Sequence, residues 1–413
     1  MVSKDSPSDA FVGQRGVFSF GDLRAKVDYR TRNLIHRDSS GPFPNSMRVL
    51  ERMKHVAIAV EQAYGHILPT VGIAMELVSR GHRVSYAVTK EFGAGVTRIG
   101  ARPLVFDPIV TRPAILTSIA DGNPMAVAGL RLEKTENSLS QLEGIFQSDR
   151  PDLIIHDACE DFAGRSLAMK WGIPHVRVSP VPPTSTNGGE MEFEDDSVVL
   201  VMVPKFFCDR LPTLHKDKIK VIGFAPEGRD KFFEPWKPAI DGRQLILVSV
   251  TTGILAQTDF CRTAIEAFRG KPFRVVLSIG GLDRVSRITL QDLGDIPENV
   301  EINQSASNFA ILRHAVLLIT QGGQGSILEA LHCGVPVLTA PNYFWDEDAS
   351  NVIAQLGLGA RLAHAEEGPE KLRETAVALL NDTDTRARVG LAKRSMHNDH
   401  AARAAADVVD TYL

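Results

Sequence analysis

Short apolar runs alternate along this chain with stretches of helical spacing. His55-Val56-Ala57-Ile58-Ala59-Val60 is the first run, and a loop from Glu61 to His66 follows it. Ile67, Val71, Ala74, Met75 and Val78 then recur at the period of an amphipathic helix, which Gly81 ends as a C-cap glycine. Further strands are predicted at residues 82–88, 104–106, 153–155 and 175–179, the last preceded by a helical stretch to about Trp171. The alternation resumes with strands at 245–250, 273–279, 316–320 and 335–339, and it closes in Ala- and Arg-rich helices over 369–412. Strands that are almost wholly apolar and alternate with helices predict parallel sheets covered on both faces. Between the two sets, Pro226, Gly228, Pro235, Pro238 and Gly242 punctuate a charged stretch, as linkers do. The expected fold class is α/β, with two doubly wound, Rossmann-like domains facing across a cleft. The expected N-terminal domain is 54–225, with a linker at 226–242 and a C-terminal domain at 243–395. A helix at 396–413 is expected to be free to fold back on the first domain.

Composition narrows the function. With 44% hydrophobic and 23% charged residues, the chain is not disordered throughout. A net charge of −4 supplies no basic field for a polyanion, so nucleic-acid binding is not expected. No apolar run approaches the roughly 20 residues that span a bilayer. Cys159, Cys208, Cys261 and Cys333 are far apart, which reads as free or buried thiols in a reducing cytoplasm rather than a disulfide frame or zinc site. Residues 1–53 mix Gly, Ser, Pro and scattered charges without a sustained period. They read as a disordered tail, or as translated upstream sequence with the start at Met47 or Met53. No secretory pattern opens the chain, and Asp5, Asp9, Asp22, Asp28 and Asp38 oppose a transit peptide.

Ligands of open parallel sheets bind outside the carboxyl ends of the strands. The candidate chemistry falls there. His66 follows the first strand at a helix N-terminus, where the dipole disfavours imidazolium, and a neutral imidazole can take a proton. Asp157 follows the strand at 153–155 and can orient His66 if the two strands are close. Equally, His66 could cap its loop and Asp157 the next helix. Later, Thr320-Gln321-Gly322-Gly323-Gln324-Gly325-Ser326 leads from a strand into a helix. Its glycines allow close backbone approach, and the helix N–H groups form an anion site suited to a diphosphate. No Gly-Lys-Ser/Thr follows, so this is not a Walker loop. Glu329 has two readings: the end of a Ser326-x-x-Glu329 capping box, or an acceptor for ribose hydroxyls.

Taken in order, Gly65-His66 with Pro69, Pro151-Asp152-Leu153-Ile154-Ile155-His156-Asp157, Trp171-Gly172-Ile173-Pro174 and the run from Thr320 to Pro341 resemble the bacterial natural-product glycosyltransferases. These macrolide-type enzymes of family 1 are related to the UDP-glycosyltransferases and have the GT-B fold. The resemblance spans roughly 54–412. It implies an inverting transfer from a TDP- or UDP-sugar donor to a small-molecule acceptor, with no metal and no other cofactor. It puts the catalytic base on His66, its partner on Asp157 and the ribose contact on Glu329. Gln321, Gly322, Gly323, Gly325 and Ser326 fall in the phosphate loop. Thr252 lies in the loop after the first strand of the second domain, where it could approach the nucleotide.

The chain also departs from that pattern. Gln321 stands where most relatives have His, and it can donate a hydrogen bond but carry no charge. Ser305-Ala306-Ser307-Asn308 replaces a Trp-x-Pro-Gln sequence. The stacking Trp is absent, so base recognition is expected to rest on backbone contacts or on another side chain, with Asn308 an expected donor contact. The sugar-contacting Asp-Gln pair is replaced near Trp345-Asp346-Glu347, with Asp346 the expected sugar contact. The segment 181–197 is shorter than the usual acceptor insert. Two alternatives stay open: a GT-B glycosyltransferase for lipid-linked acceptors, and a catalytically impaired homologue acting as scaffold or activator. A GT-B epimerase would place an acid and a base around the donor sugar, and the sequence offers no matching set. A homodimer is left open as well.

Overall fold

The computed structural model describes residues 53–108, 110, 114–115, 117–118, 122–158, 163–182, 197–208, 217–239, 241–250, 257–279, 288–341, 344–363 and 367–413, with the side chains at 124 and 344–346 outside that set. Two parallel sheets organise these residues. The first joins β1 (His55–Ala59), β2 (Arg83–Val88), β3 (Arg102–Val105), β4 (Leu153–Asp157), β5 (His175–Ser179), β6 (Val199–Val201) and β7 (Ile219–Val221) in the order 3-2-1-4-5-6-7. Helices α1 (Tyr64–Ser79), α2 (Gly93–Arg98), α3 (Pro124–Phe146) and α4 (Ala163–Trp171) connect them. After a single turn, α5 (Arg229–Phe232), come β8 (Gln244–Ser249), β9 (Phe273–Ser278), β10 (Val300–Asn303), β11 (Ala315–Thr320), β12 (Val337–Thr339) and β13 (Gly359–Arg361), in the order 10-9-8-11-12-13. Their helices are α6 (Thr258–Phe268), α7 (Asn308–Leu312), α8 (Gln324–Cys333) and α9 (Phe344–Gln355). The chain ends in α10 (Pro369–Asn381), α11 (Thr383–His397) and α12 (Ala401–Asp410).

Both orders reverse beside their first strand, between β1 and β4 and between β8 and β11. At such a switch point the flanking loops diverge and leave a crevice at the carboxyl ends. The strand pairing sets the contents of the first crevice, with Ala59 opposite His156.

The apolar runs form the cores. Val56, Ile58, Ile67, Ile73, Leu77, Tyr86 and Ile155 are fully buried in the first lobe, as are Ile246, Val248, Leu277, Leu317 and Ile319 in the second. Each buried Ile or Leu contributes about 1.5–3 kcal/mol. One buried cluster is shared by the lobes, running from Val199, Val201, Phe207 and Phe224 to Leu247, Phe309 and Leu331. Phe206 and Phe207 belong to this shared packing. Helix α12 returns to the first lobe, where Ala401, Ala402, Ala405, Ala406 and Val409 join its core against α1. Small alanines permit that approach, and Arg80 ties the helices together through Asp407 (2.8 Å) and Asp410 (2.7 Å).

Candidate active site

His66 lies in the first turn of α1, not in a loop before it. The helix begins at Tyr64 after Ala63, and His66 N donates to Ala63 O at 3.0 Å. Sequence spacing puts the start near Ile67 because the apolar period begins there. The earlier turn is set by backbone bonding that no side-chain pattern reports. Below His66, Thr70 Oγ1 donates to Ile67 O at 2.8 Å and meets the hydroxyl of Tyr86, which burial holds well above the usual phenol range. Thr70 and Tyr86 brace the turn, and neither stands out in the sequence because each reads as an ordinary core position.

Asp157 is the last residue of β4, across the switch point from the loop that ends β1. Its Oδ2 lies 2.5 Å from His66 Nδ1. The carboxylate is buried, and the imidazole is about one-tenth exposed. An ionised carboxylate only accepts, so Nδ1 carries the proton and Nε2 is left as the basic nitrogen. His156 points to the opposite face, as strand alternation requires. Its Nδ1 donates to the Asp157 carbonyl at 2.9 Å, and its Nε2 faces His175 Nδ1 at 2.9 Å. Burial lowers the His156 pKa to about 3, so this ring is neutral and its tautomer is fixed behind the site.

The Gly-rich turn at the second switch point follows β11. Gln321 is buried, Gly322 has φ 118°, and Gly323 is the N-cap of α8. Gly322 adopts a conformation that only glycine reaches without strain. Nothing lies within 4 Å of where a Cβ of Gly325 would stand. The first N–H groups of α8, from Gln324 to Ser326, are the set that can receive an anion. Asn308 opens α7 and donates through Nδ2 to Ser249 Oγ at 2.8 Å, so it borders the end of β8. Thr252 lies outside the described residues. Asp346 lies in the first turn of α9, and its side chain is also outside them.

Glu329 does not close a capping box. The N-cap is Gly323, which makes no side-chain cap bond, and Ser326 sits within the first turn. The carboxylate instead accepts from Arg229 Nη1 at 2.7 Å, with both side chains buried. Burial pushes the Glu329 carboxyl up from its ordinary range, and Arg229 opposes that. Arg229 is a residue that sequence reasoning missed. Its only signal was a cation in a linker, and its partner is 100 positions away. Among the described residues, no group of three His, Cys, Asp or Glu side chains could hold a metal ion, and no helix is long and apolar enough to cross a membrane.

Known proteins share this arrangement of sheets and sequence. Residues 281–411 match the family described as erythromycin biosynthesis protein CIII-like, C-terminal domain. NDP-glycosyltransferase YjiC of Bacillus licheniformis is 30% identical over 395 residues, covering 87% of this chain and 98% of that protein. Demethyllactenocin mycarosyltransferase of Streptomyces fradiae is 29% identical over 409 residues, covering 88% and 87%. Among solved structures, the glycotransferase of kitacinnamycin matches with a TM-score of 0.70 at 26% identity, over 88% of this chain and 100% of that one.

Proposed function

The chain belongs to the NDP-glycosyltransferases of natural-product type, with the GT-B fold, and from that premise we propose an inverting, metal-independent transfer. The donor is a TDP- or UDP-sugar and the acceptor is a hydroxyl of a small natural product. The observation that carries this reading is the 2.5 Å contact between His66 Nδ1 and Asp157 Oδ2 at the junction of β1 and β4.

His66 Nε2 takes the proton of the acceptor hydroxyl as that oxygen attacks the anomeric carbon. The bond from the anomeric carbon to the diphosphate oxygen breaks, and the diphosphate leaves with the electron pair. Attack from the face opposite the leaving group inverts the centre. Asp157 holds the imidazole in the right tautomer and stabilises the imidazolium that forms. The first N–H groups of α8 meet the charge that develops on the diphosphate, and being fixed they need no reorganisation. Gln321 and Ser326 supply uncharged donors beside them. Glu329 accepts from a ribose hydroxyl, and Asn308 flanks the nucleotide.

The test is transfer assayed with a panel of TDP- and UDP-sugars and hydroxyl-bearing acceptors, with and without a chelator. Product with inverted anomeric configuration, formed at an unchanged rate in chelator and lost in His66→Ala, supports the reading. A retained configuration overturns it.

A further inference from the structure

Arg229 stands where three parts of the molecule meet. It opens α5 directly after Gly228, whose φ is 79°. Its Nε donates to Ala225 O at 3.1 Å, and its guanidinium lies 4.5 Å over the ring of Phe224. Its Nη1 donates to Oε1 of Glu329 on α8. Only 2% of Arg229 and 4% of Glu329 is exposed.

The segment that carries Arg229 is seated on α1, the helix of His66. A Cβ on Gly228 would stand 2.2 Å from Met75 Sδ and 2.8 Å from Val71 Cγ1. A Cβ on Gly72 would stand 3.0 Å from that of Ala225. Rigid contacts therefore run from the helix of His66, through Ala225 to Arg229, to the carboxylate on α8. Interiors this closely packed transmit displacement rather than absorb it.

A buried ion pair is a poor way to join two lobes, because well-packed apolar side chains of similar volume hold them as firmly or better. A carboxylate that must stay ionised to receive a sugar hydroxyl gives the pair a purpose. Burial alone would drive Glu329 towards its neutral form, and the acids Asp230 and Glu227 nearby do nothing to oppose that. Arg229 is the cation that does, and a guanidinium keeps its charge at any working pH. His332 and Cys333, further along α8, also feel this charge cluster, but neither contacts the carboxylate in the described hydrogen bonds.

Resting on the reading of Glu329 as the ribose contact, we propose that Arg229 is a positioning residue for donor binding: it holds Oε1 of Glu329 so that Oε2 meets a ribose hydroxyl, and it ties the donor helix to the helix of the base. Arg229 touches no reacting atom in this proposal. Its effect reaches the donor through Glu329.

The experiment is calorimetric titration of UDP and of TDP into the wild type, Arg229→Met, Arg229→Lys and Glu329→Gln, from mildly acidic to mildly alkaline pH, beside donor KM and kcat. Arg229→Met is expected to weaken the nucleotide it binds by about tenfold or more near neutrality. The loss should grow as pH falls and the unpaired carboxyl takes up a proton. Donor KM should rise more than kcat falls, and Arg229→Lys should recover part of the affinity. Should the Met variant fail to fold, Arg229→Lys carries the test of the geometry alone: it keeps the charge and loses the guanidinium fork, so it should weaken nucleotide binding by a smaller factor, and wild-type affinity in it would overturn the proposal. A folded Arg229→Met that binds like the wild type at every pH, with only its melting temperature lowered, overturns the proposal. If Glu329→Gln is weakened while Arg229→Met is not, the proposal fails alone. If Glu329→Gln binds like the wild type, the ribose reading fails first and takes the proposal with it.

Discussion

Gly223 and Asp399 touch where the chain crosses between the lobes on its outward and return paths. A Cβ on Gly223 would stand 2.7 Å from Oδ2 of Asp399 and 3.0 Å from its Cβ. Gly223 also has φ 107°, a conformation that L side chains rarely adopt. Gly223→Ala should therefore destabilise the protein by about 1–3 kcal/mol, from backbone strain and overpacking together. The double variant Gly223→Ala/Asp399→Gly should recover the packing share but not the strain. Denaturant unfolding checks this, and a single variant as stable as the wild type would show that the crossing is looser than it looks.

Asp399 should also make stability depend on pH. Burial raises its pKa from 3.8 to about 6, with His400 opposing. Between those values the native state keeps a proton that the unfolded chain has lost. Stability is therefore fully present below the unfolded value and is lost as pH rises through the folded one. Asp399→Asn stays neutral, so it should gain about 1 kcal/mol over the wild type at neutral pH, a figure discounted for partial exposure. That gain should vanish in acid. Melting curves across this window decide it, and an equal gain at every pH would mean the effect is not electrostatic.

Replacing His66 by Ala should lower kcat by at least about 100-fold, since it removes the proton acceptor, while donor KM changes little. Asp157→Asn should lower kcat by a smaller factor, because the imidazole survives but loses the carboxylate that orients it and stabilises its charged form. Steady-state kinetics with one donor–acceptor pair measure both. Full activity in His66→Ala would remove His66 from the chemistry.

Lys134 and Glu61 form a second buried ion pair, joining α3 to the residues just after β1. Lys134→Met would strand the carboxylate and should cost about 3–5 kcal/mol. Lys134→Met/Glu61→Leu should restore most of that loss, because an apolar pair of similar volume carries no desolvation penalty. Thermal and urea unfolding of the single and double variants test this. A single variant within error of the wild type would show that the pair is solvated in solution.

Long apolar strands announced themselves. β1, β2, β4, β5, β8, β9 and β11 were legible because each has several consecutive buried residues, so composition and period agree. β7 and β13 have only three residues each, too few to show a period, whereas β6 lies within an unbroken buried apolar run from Val198 to Val203 that the sequence reading missed. β10 reads Val-Glu-Ile-Asn, which a polar loop could equally show. Glu329 shows the same limit from the other side. Its spacing from Ser326 fits a capping box, and only the true start of α8 at Gln324 removes that reading.

By itself, the order of apolar runs and glycines determined an α/β chain with two sets of parallel strands, and it put the chemistry at their carboxyl ends. Local rules suffice for that, because period, turn residues and helix ends depend on neighbours a few positions apart. Only the tertiary structure decided that His66 meets Asp157 across 91 positions and that Glu329 meets Arg229 across 100. Those meetings depend on which strands become neighbours and on which segment crosses between the sheets. Both are settled by burying whole faces against one another rather than by any local spacing.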